Sequence, residues 1–216
     1  IEFNPDREAF YTRLNVPQDK LILGLLPGSR PQEVRRILPV MLKSAERVVK
    51  ESPRMLPVIG LAPTLLKEEV QPYLRAFPGE TRLVETGVYD LIRHSRLMLV
   101  ASGTATLETA IIGTPFLIVY KTSFLTYLLA RRMISIPYIG LVNVVAGKKI
   151  VPEFVQNQAK PEKIAAAVLS CLQDEEKYER LGSDLEGIKS KLGERGASLK
   201  AARIACDMMD SKGGIG

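Results

Sequence analysis

The chain has 216 residues, 46% hydrophobic and 25% charged, with a formal net charge of +6. That size and composition fit one globular domain with a sizeable core, and the basic balance favours anionic partners: a nucleotide, nucleic acid or an acidic membrane surface. One histidine (His94) and two cysteines (Cys171 and Cys206) far from metal-ligand spacing argue against a histidine-rich metal site, a Ser–His triad or a disulfide framework, and no apolar run approaches the ~20 residues that span a bilayer.

Ile1-Glu2-Phe3 begins without Met and leads at once into Asn4-Pro5-Asp6, so the chain is expected to start part-way through a larger protein. Asp6 to Leu14 reads as a short amphipathic helix and Leu21 to Leu26 as a continuous apolar strand. The turn Pro27 to Glu33 follows, with Ser29 and Gln32 at capping-box spacing and Pro31 in a first helical turn. Helical periodicity then runs through Val34, Ile37, Met41, Ala45 and Val48, and Pro39 predicts a break or kink inside it. Leu56 to Leu61 reads as a strand, Thr64 to Phe77 as a helix, Thr81 to Glu85 as a strand, and Tyr89 to His94 as one or two helical turns.

Arg96 to Val100 reads as a buried strand, and a helix begins near Leu107 and stops at Gly113. Phe116 to Tyr120 is a further strand, Ser123 to Ile134 a helix, and Tyr138 to Val142 a strand or extended segment. Asn143 to Lys149 reads as a loop and Pro152 to Gln156 as a short helix. Three helices close the chain, Pro161 to Leu172, Glu175 to Leu192 and Ala197 to Met209, and Ser211 to Gly216 reads as a disordered tail. About six strands alternating with helices predict an α/β fold: a doubly wound, mostly parallel, Rossmann-like sheet with a helical C-terminal segment.

The stretch Val100 to Glu108 organises this reading. Its small-residue turn lies at a strand's C-terminal end, where parallel α/β sheets bind ligands. The following helix points unpaired N–H groups and a partial positive charge at that turn. Ser102, Gly103 and Thr104 let a phosphate approach closely, and Thr104 and Glu108 share a helix face. A hydroxyl and a carboxylate so placed suit a pyrophosphate and its ribose diol. The plain alternative is an ordinary strand-to-helix turn with Ser102 as N-cap.

Two more polar turns follow predicted strands and are expected on the same sheet edge: Gly28-Ser29-Arg30 and the Asn143 loop. Arg30 brings a bidentate cation to a phosphate, and Asn143 can both donate and accept. The Gly-Lys-Ser/Thr signature of a P-loop and the G-x-G-x-x-G dinucleotide fingerprint are both missing from these turns, which favours a nucleotide-sugar site over ATPase or NAD chemistry.

Leu25 to Arg30 with Glu33, Ala101 to Glu108, Gly113 to Pro115 with Tyr120-Lys121, Asn143 with Ala146-Gly147, Val151 to Glu153 and Gln156 occur in the order seen in bacterial lipid-A-disaccharide synthases. The chain closely resembles the C-terminal, UDP-sugar-binding half of that two-domain GT-B family. The resemblance implies a single nucleotide-sugar-binding domain over residues 1–216. It implies a hexosyltransferase that moves diacylglucosamine from UDP-diacylglucosamine to lipid X, forming a β-1,6 disaccharide with inversion and no metal or other cofactor. It places the acceptor side and the catalytic base on an N-terminal half outside this chain, so this chain alone is expected to be inactive. It implies a cytoplasmic enzyme peripheral on the inner membrane. Substrate contacts are expected from Gly28, Ser29, Arg30, Glu33, Ser102, Gly103, Thr104, Thr106, Glu108, Asn143, Gly147 and Gln156, with Arg30 and Asn143 as candidates at the leaving group.

Plainer readings stand beside these. Glu33 also fits a solvated helix position, His94 a surface or helix end, and Lys148-Lys149 a solvated loop. Phe124 to Ile139, apolar with Arg131 and Arg132, suits either core plus surface or an element meeting acyl chains or an anionic bilayer. A homodimer is left open. Other GT-B enzymes of UDP-GlcNAc, a peptidoglycan GlcNAc transferase or a 2-epimerase, share the architecture but differ in the loop motifs. A non-catalytic nucleotide-binding module is a third possibility. Nucleic acid is not expected as a partner, because the basic residues are dispersed rather than striped with aromatics.

Overall fold

Leu21 to Leu26 contains only Leu, Ile and Gly, so a strand there must be covered on both faces. The computed structural model describes residues 1–123 and 138–192 and shows how it is covered. Strands β1 (Leu21–Leu26), β2 (Met55–Gly60), β3 (Arg82–Val84), β4 (Ser95–Ala101), β5 (Phe116–Tyr120) and β6 (Glu153–Val155) form one sheet in the order β3-β2-β1-β4-β5-β6. Every pairing is parallel. Helices α1 (Arg7–Arg13), α2 (Pro31–Glu51), α3 (Gln71–Ala76), α4 (Val88–His94), α5 (Ala105–Ile112), α6 (Leu141–Ala146), α7 (Pro161–Gln173) and α8 (Glu175–Lys191) complete the described residues.

The period-two alternation of strand side chains divides the core in two. Leu23, Leu25, Leu97, Leu99, Leu117 and Val119 pack with residues of α2 and α7 on one face. Ile22, Leu26, Met98, Val100, Phe116 and Ile118 pack with residues of α1, α4, α5, α6 and α8 on the other. The expected doubly wound α/β fold is therefore present. β1 leads to β2 on one side, while β4 lies on its other side, so the strand order reverses between β1 and β4.

Five expectations are corrected. Pro39 does not break its helix: α2 runs uninterrupted from Pro31 to Glu51. Val34, Ile37, Leu38, Val40, Met41 and Leu42 are buried around it, and that apolar burial offsets the one hydrogen bond a proline removes. Thr64 to Phe77 is not one helix but a 3₁₀ turn at Lys67–Glu69 followed by α3, because Pro72 has no N–H for the Glu68 carbonyl and so fits only a first helical turn. Tyr138 to Val142 is not a strand, and Asn143 to Lys149 is not all loop, since Leu141–Ala146 forms α6. Pro152 to Gln156 is not a helix: the sixth strand is β6, pairing with β5, and a 3₁₀ turn at Gln156–Gln158 follows. The predicted helices Ser123 to Ile134 (beyond Ser123) and Ala197 to Met209, the tail and Cys206 lie outside the described residues. Cys171 is buried in the core, and that burial pushes its thiol up.

Candidate functional site

Leu26 is the β-partner of Val100, so the two segments that leave β1 and β4 emerge side by side at the C-terminal edge of the sheet. α2 then departs over one face and α5 over the other. This is the topological switch point, and the crevice outside it is where open α/β sheets bind ligands.

The first wall is the turn from Pro27 to Glu33. Pro31 holds Arg30 extended at φ −123°, ψ 141°, and makes it the N-cap of α2. Ser29 is therefore not the cap, and the Ser29–Gln32 capping box does not form. Glu33 closes the turn instead: its carboxylate accepts from the Ser29 N–H at 3.0 Å and from Arg30 Nη1 at 3.2 Å. Gly28, at φ +116°, lies directly beneath that carboxylate, where a Cβ would collide with it. The Thr64 hydroxyl braces the same turn from the neighbouring strand end, donating to the Ser29 carbonyl at 2.6 Å. Arg30 stays 79% exposed despite its contact with Glu33.

The second wall is the turn from Ser102 to Glu108. Thr104 is the N-cap of α5, at helical φ −60°, ψ −30°, and makes no side-chain cap bond. Ser102 is not the N-cap either, because its hydroxyl donates to the Ile139 carbonyl at 2.8 Å. Thr106 is fully buried and donates its hydroxyl to the Gly103 carbonyl at 2.7 Å, so it shapes the turn from inside. Among the described residues, the N–H groups of Gly103, Thr104 and Ala105 meet no acceptor. A Cβ built on Gly103 would meet only open space. One helical turn on, the half-buried Glu108 accepts from the Tyr89 hydroxyl at 3.4 Å. Burial first, and the Glu108 charge second, push the Tyr89 hydroxyl up.

The third group of expected residues is placed differently. Asn143 is fully buried within α6 and is not on a loop. Its amide nitrogen donates to the Val151 carbonyl and to Glu153 Oε1, both at 2.8 Å. Its oxygen accepts from the N–H groups of Ile150 and Val151, both at 2.9 Å. Every polar position of the side chain is thus occupied by the chain itself. Gly147 caps the far end of α6, ~9 Å along the helix, where the Ala146 carbonyl accepts from Lys191. A Cβ built on Gly147 would meet only open space. Gln156 exchanges two bonds of 3.3 Å with the backbone of Thr122, tying the ends of β5 and β6. His94 ends α4 just before β4 begins. The length of β4, ~20 Å at strand rise, therefore separates it from the Ser102 turn, and its ring nitrogen pairs with the Asn4 carbonyl at 2.8 Å.

The fold therefore sets Gly28, Ser29, Arg30 and Glu33 on one turn and Ser102, Gly103, Thr104 and Glu108 on the other, at the same edge of the sheet, while Thr106, Asn143 and Gln156 serve as internal braces. Sequence reasoning missed Thr64, Tyr89 and Glu153. Only Glu153 left a signal: a carboxylate inside the apolar extended run Val151 to Val155 needs partners. Lys121, half-buried one residue beyond β5, adds a cation at the same edge.

A family model described as lipid-A-disaccharide synthetase matches residues 1–205. The lipid-A-disaccharide synthase of Persephonella marina is 39% identical over 213 residues, covering 94% of this chain and 55% of the relative. That of Syntrophus aciditrophicus is 38% identical over 216 residues, covering 97% and 55%. The chain thus spans about half the length of these curated relatives. Among solved structures, Anabaena HepE in complex with UDP-glucose superposes with TM-score 0.60 at 12% identity, covering 96% of this chain and 53% of that one. The UDP-GlcNAc 2-epimerase of Neisseria meningitidis bound to UDP-GlcNAc gives 0.53 at 14%, covering 86% and 47%. At such identities these likenesses concern the fold alone.

Proposed function

The chain belongs to the lipid-A-disaccharide synthase family, and from that premise we propose that it is the half of a GT-B glycosyltransferase that holds the UDP-sugar. Residues 1–216 act as a single nucleotide-sugar-binding domain. The whole enzyme transfers diacylglucosamine from UDP-diacylglucosamine to lipid X, with inversion, to form a β-1,6 disaccharide. The acceptor and the base that takes its proton belong to the other half.

One observation carries this reading. Arg30 and the N–H groups of Gly103, Thr104 and Ala105, which meet no acceptor among the described residues, lie on the two turns that leave the β1–β4 switch point, with the Glu108 carboxylate one helical turn on. As the bond from the anomeric carbon to the diphosphate oxygen breaks, negative charge collects on UDP. Donors already aimed at that position stabilise it without a proton transfer or any reorganisation. Glu108 accepts from the ribose hydroxyls, with Tyr89 behind it. Asn143 acts at one remove, by holding its segment in shape. Solved relatives in fold that carry UDP-sugars support the choice of ligand.

Calorimetry with UDP and UMP tests the site. UDP is expected to bind more tightly, and absence of binding for both at millimolar concentration would sink the reading. In a radiolabelled lipid X assay, this chain alone is expected to make no detectable disaccharide, because losing the base and the aligned acceptor costs at least ~10²–10⁴-fold. Disaccharide formed at a normal enzymatic rate by this chain alone would refute the division of labour.

Among the described residues no helix is long and apolar enough to cross a membrane. We assign contact with anionic lipid at the cytoplasmic face to the basic, apolar stretch Phe124 to Ile139, most of which lies outside the described residues. Vesicle flotation of an Arg131→Glu, Arg132→Glu variant checks this, and unchanged partitioning would refute it.

A further inference from the structure

Glu153 opens β6, half-buried, beside a segment that must turn from Tyr138 into α6. Its Oε1 accepts from the Gly140 N–H at 2.9 Å and from the Asn143 side-chain amide at 2.8 Å, and its Oε2 accepts from the Ile139 N–H at 3.1 Å. Asn143 is not free to rotate its amide, because its oxygen is held by Ile150 and Val151. All three partners of Glu153 are therefore fixed donors, and a side chain whose two terminal oxygens both accept satisfies them together. The fit is close, since a Cβ on Gly140 would strike Ile118 and press on Glu153.

The residue so clamped is the one that meets the central turn. The Ile139 carbonyl accepts the Ser102 hydroxyl proton at 2.8 Å. A continuous chain of bonds runs from Glu153 through the Ile139–Gly140 peptide to Ser102, beside the N–H groups of Gly103, Thr104 and Ala105, which meet no acceptor among the described residues. We propose that Glu153 is a positioning residue for diphosphate recognition: by fixing Ile139 it anchors Ser102 and aims the following N–H groups at the leaving group. Such donors act only when their direction is set in advance. Fixing the direction of donors that meet only the diphosphate affects diphosphate affinity, not affinity for the nucleoside. This inference rests on the donor-site reading above.

The test is calorimetry of UDP and uridine with wild type, Glu153→Gln, Ser102→Ala and the double variant, alongside each variant's thermal midpoint. Glu153→Gln turns one acceptor into an NH₂ that faces donors. It is expected to weaken UDP about tenfold, the loss of roughly one charge-assisted bond, with uridine unchanged. Ser102→Ala is expected to weaken UDP selectively too, and the double variant to lose less than the sum of the two, because both break one chain. If Glu153→Gln does not fold, Glu153→Asp keeps an acceptor-only carboxylate drawn back by one methylene and is expected to show a milder selective loss. Equal weakening of UDP and uridine, or a lowered midpoint with unchanged affinities, would leave Glu153 a purely structural residue and overturn the proposal. Strictly additive losses would overturn the route through Ser102. If wild type itself shows no preference for UDP over uridine, the donor-site reading falls, and the positioning role with it. If wild type prefers UDP and Glu153→Gln keeps that preference, only the inference falls.

Discussion

The edge of the sheet at β1 and β4 and the segment from Ile139 to Gln156 are both rich in small and polar residues, but they use them in opposite ways. In the first, Arg30 is exposed and three consecutive N–H groups have no acceptor among the described residues. In the second, Asn143, Glu153 and Gln156 direct their polar atoms at the chain itself. Open hydrogen-bonding capacity is available to water or a ligand, and spent capacity marks a brace. A polar motif in sequence does not distinguish the two.

The contrast predicts which measurement each substitution moves. Asn143→Ala is expected to cost about 3 kcal/mol or more of unfolding free energy, because it strips partners from two buried N–H groups, a carbonyl and a carboxylate. Urea denaturation measures this, and a variant as stable as wild type would erase the distinction. Arg30→Ala is expected to do the reverse, weakening UDP about tenfold or more while leaving the urea midpoint near wild type. Glu108→Gln is expected to cost about 1.5–3 kcal/mol in UDP binding, and less with a 2′,3′-dideoxy analogue. Equal losses for the two ligands would remove its ribose role.

Smaller effects sharpen the same line. Thr106→Val removes one buried bond that shapes the second turn, so a loss of about 1 kcal/mol in stability is expected. The smallest effect concerns alkaline pH. Burial pushes the hydroxyls of Tyr89 and Tyr178 up, with the Glu108 charge as the second cause for Tyr89. The folded state thus holds these protons more tightly than the unfolded chain. That stabilisation is full below the ordinary tyrosine value of about 10 and is lost as pH rises through the raised values. The Tyr178 hydroxyl also donates to the Arg96 carbonyl at 2.8 Å. Tyr178→Phe is expected to flatten the alkaline limb of a stability-versus-pH curve, and an unchanged limb would count against this origin.

β1 and β5 were legible to the residue, and β4 nearly so, because apolar runs bounded by Gly, Pro or Ser report their own burial. The switch-point pairing of the Arg30 and Ser102 turns was legible for the same reason: strand followed by helix, twice, in a parallel sheet. Residues 138–156 were misread because Tyr138 to Val142 and Leu141 to Ala146 overlap in one short apolar run whose period is ambiguous between strand and helix. α6 is only six residues long, too short to stand on propensity, and owes its place to Glu153 and to packing beside α5 and α8.

By itself, then, the order of apolar runs and small-residue turns determined a doubly wound sheet and the edge at which its polar turns open, and the resemblance of those motifs to lipid-A-disaccharide synthases pointed to the family. These are local patterns, and each short window carries its own period. Which polar groups remain open at that edge was decided only in three dimensions. Glu33 folds back over Gly28, and Glu153 and Asn143 satisfy each other across ten positions of sequence. Whether a hydrogen-bonding group is spent depends on partners that chain order does not place beside it, and only packing brings them within 3 Å.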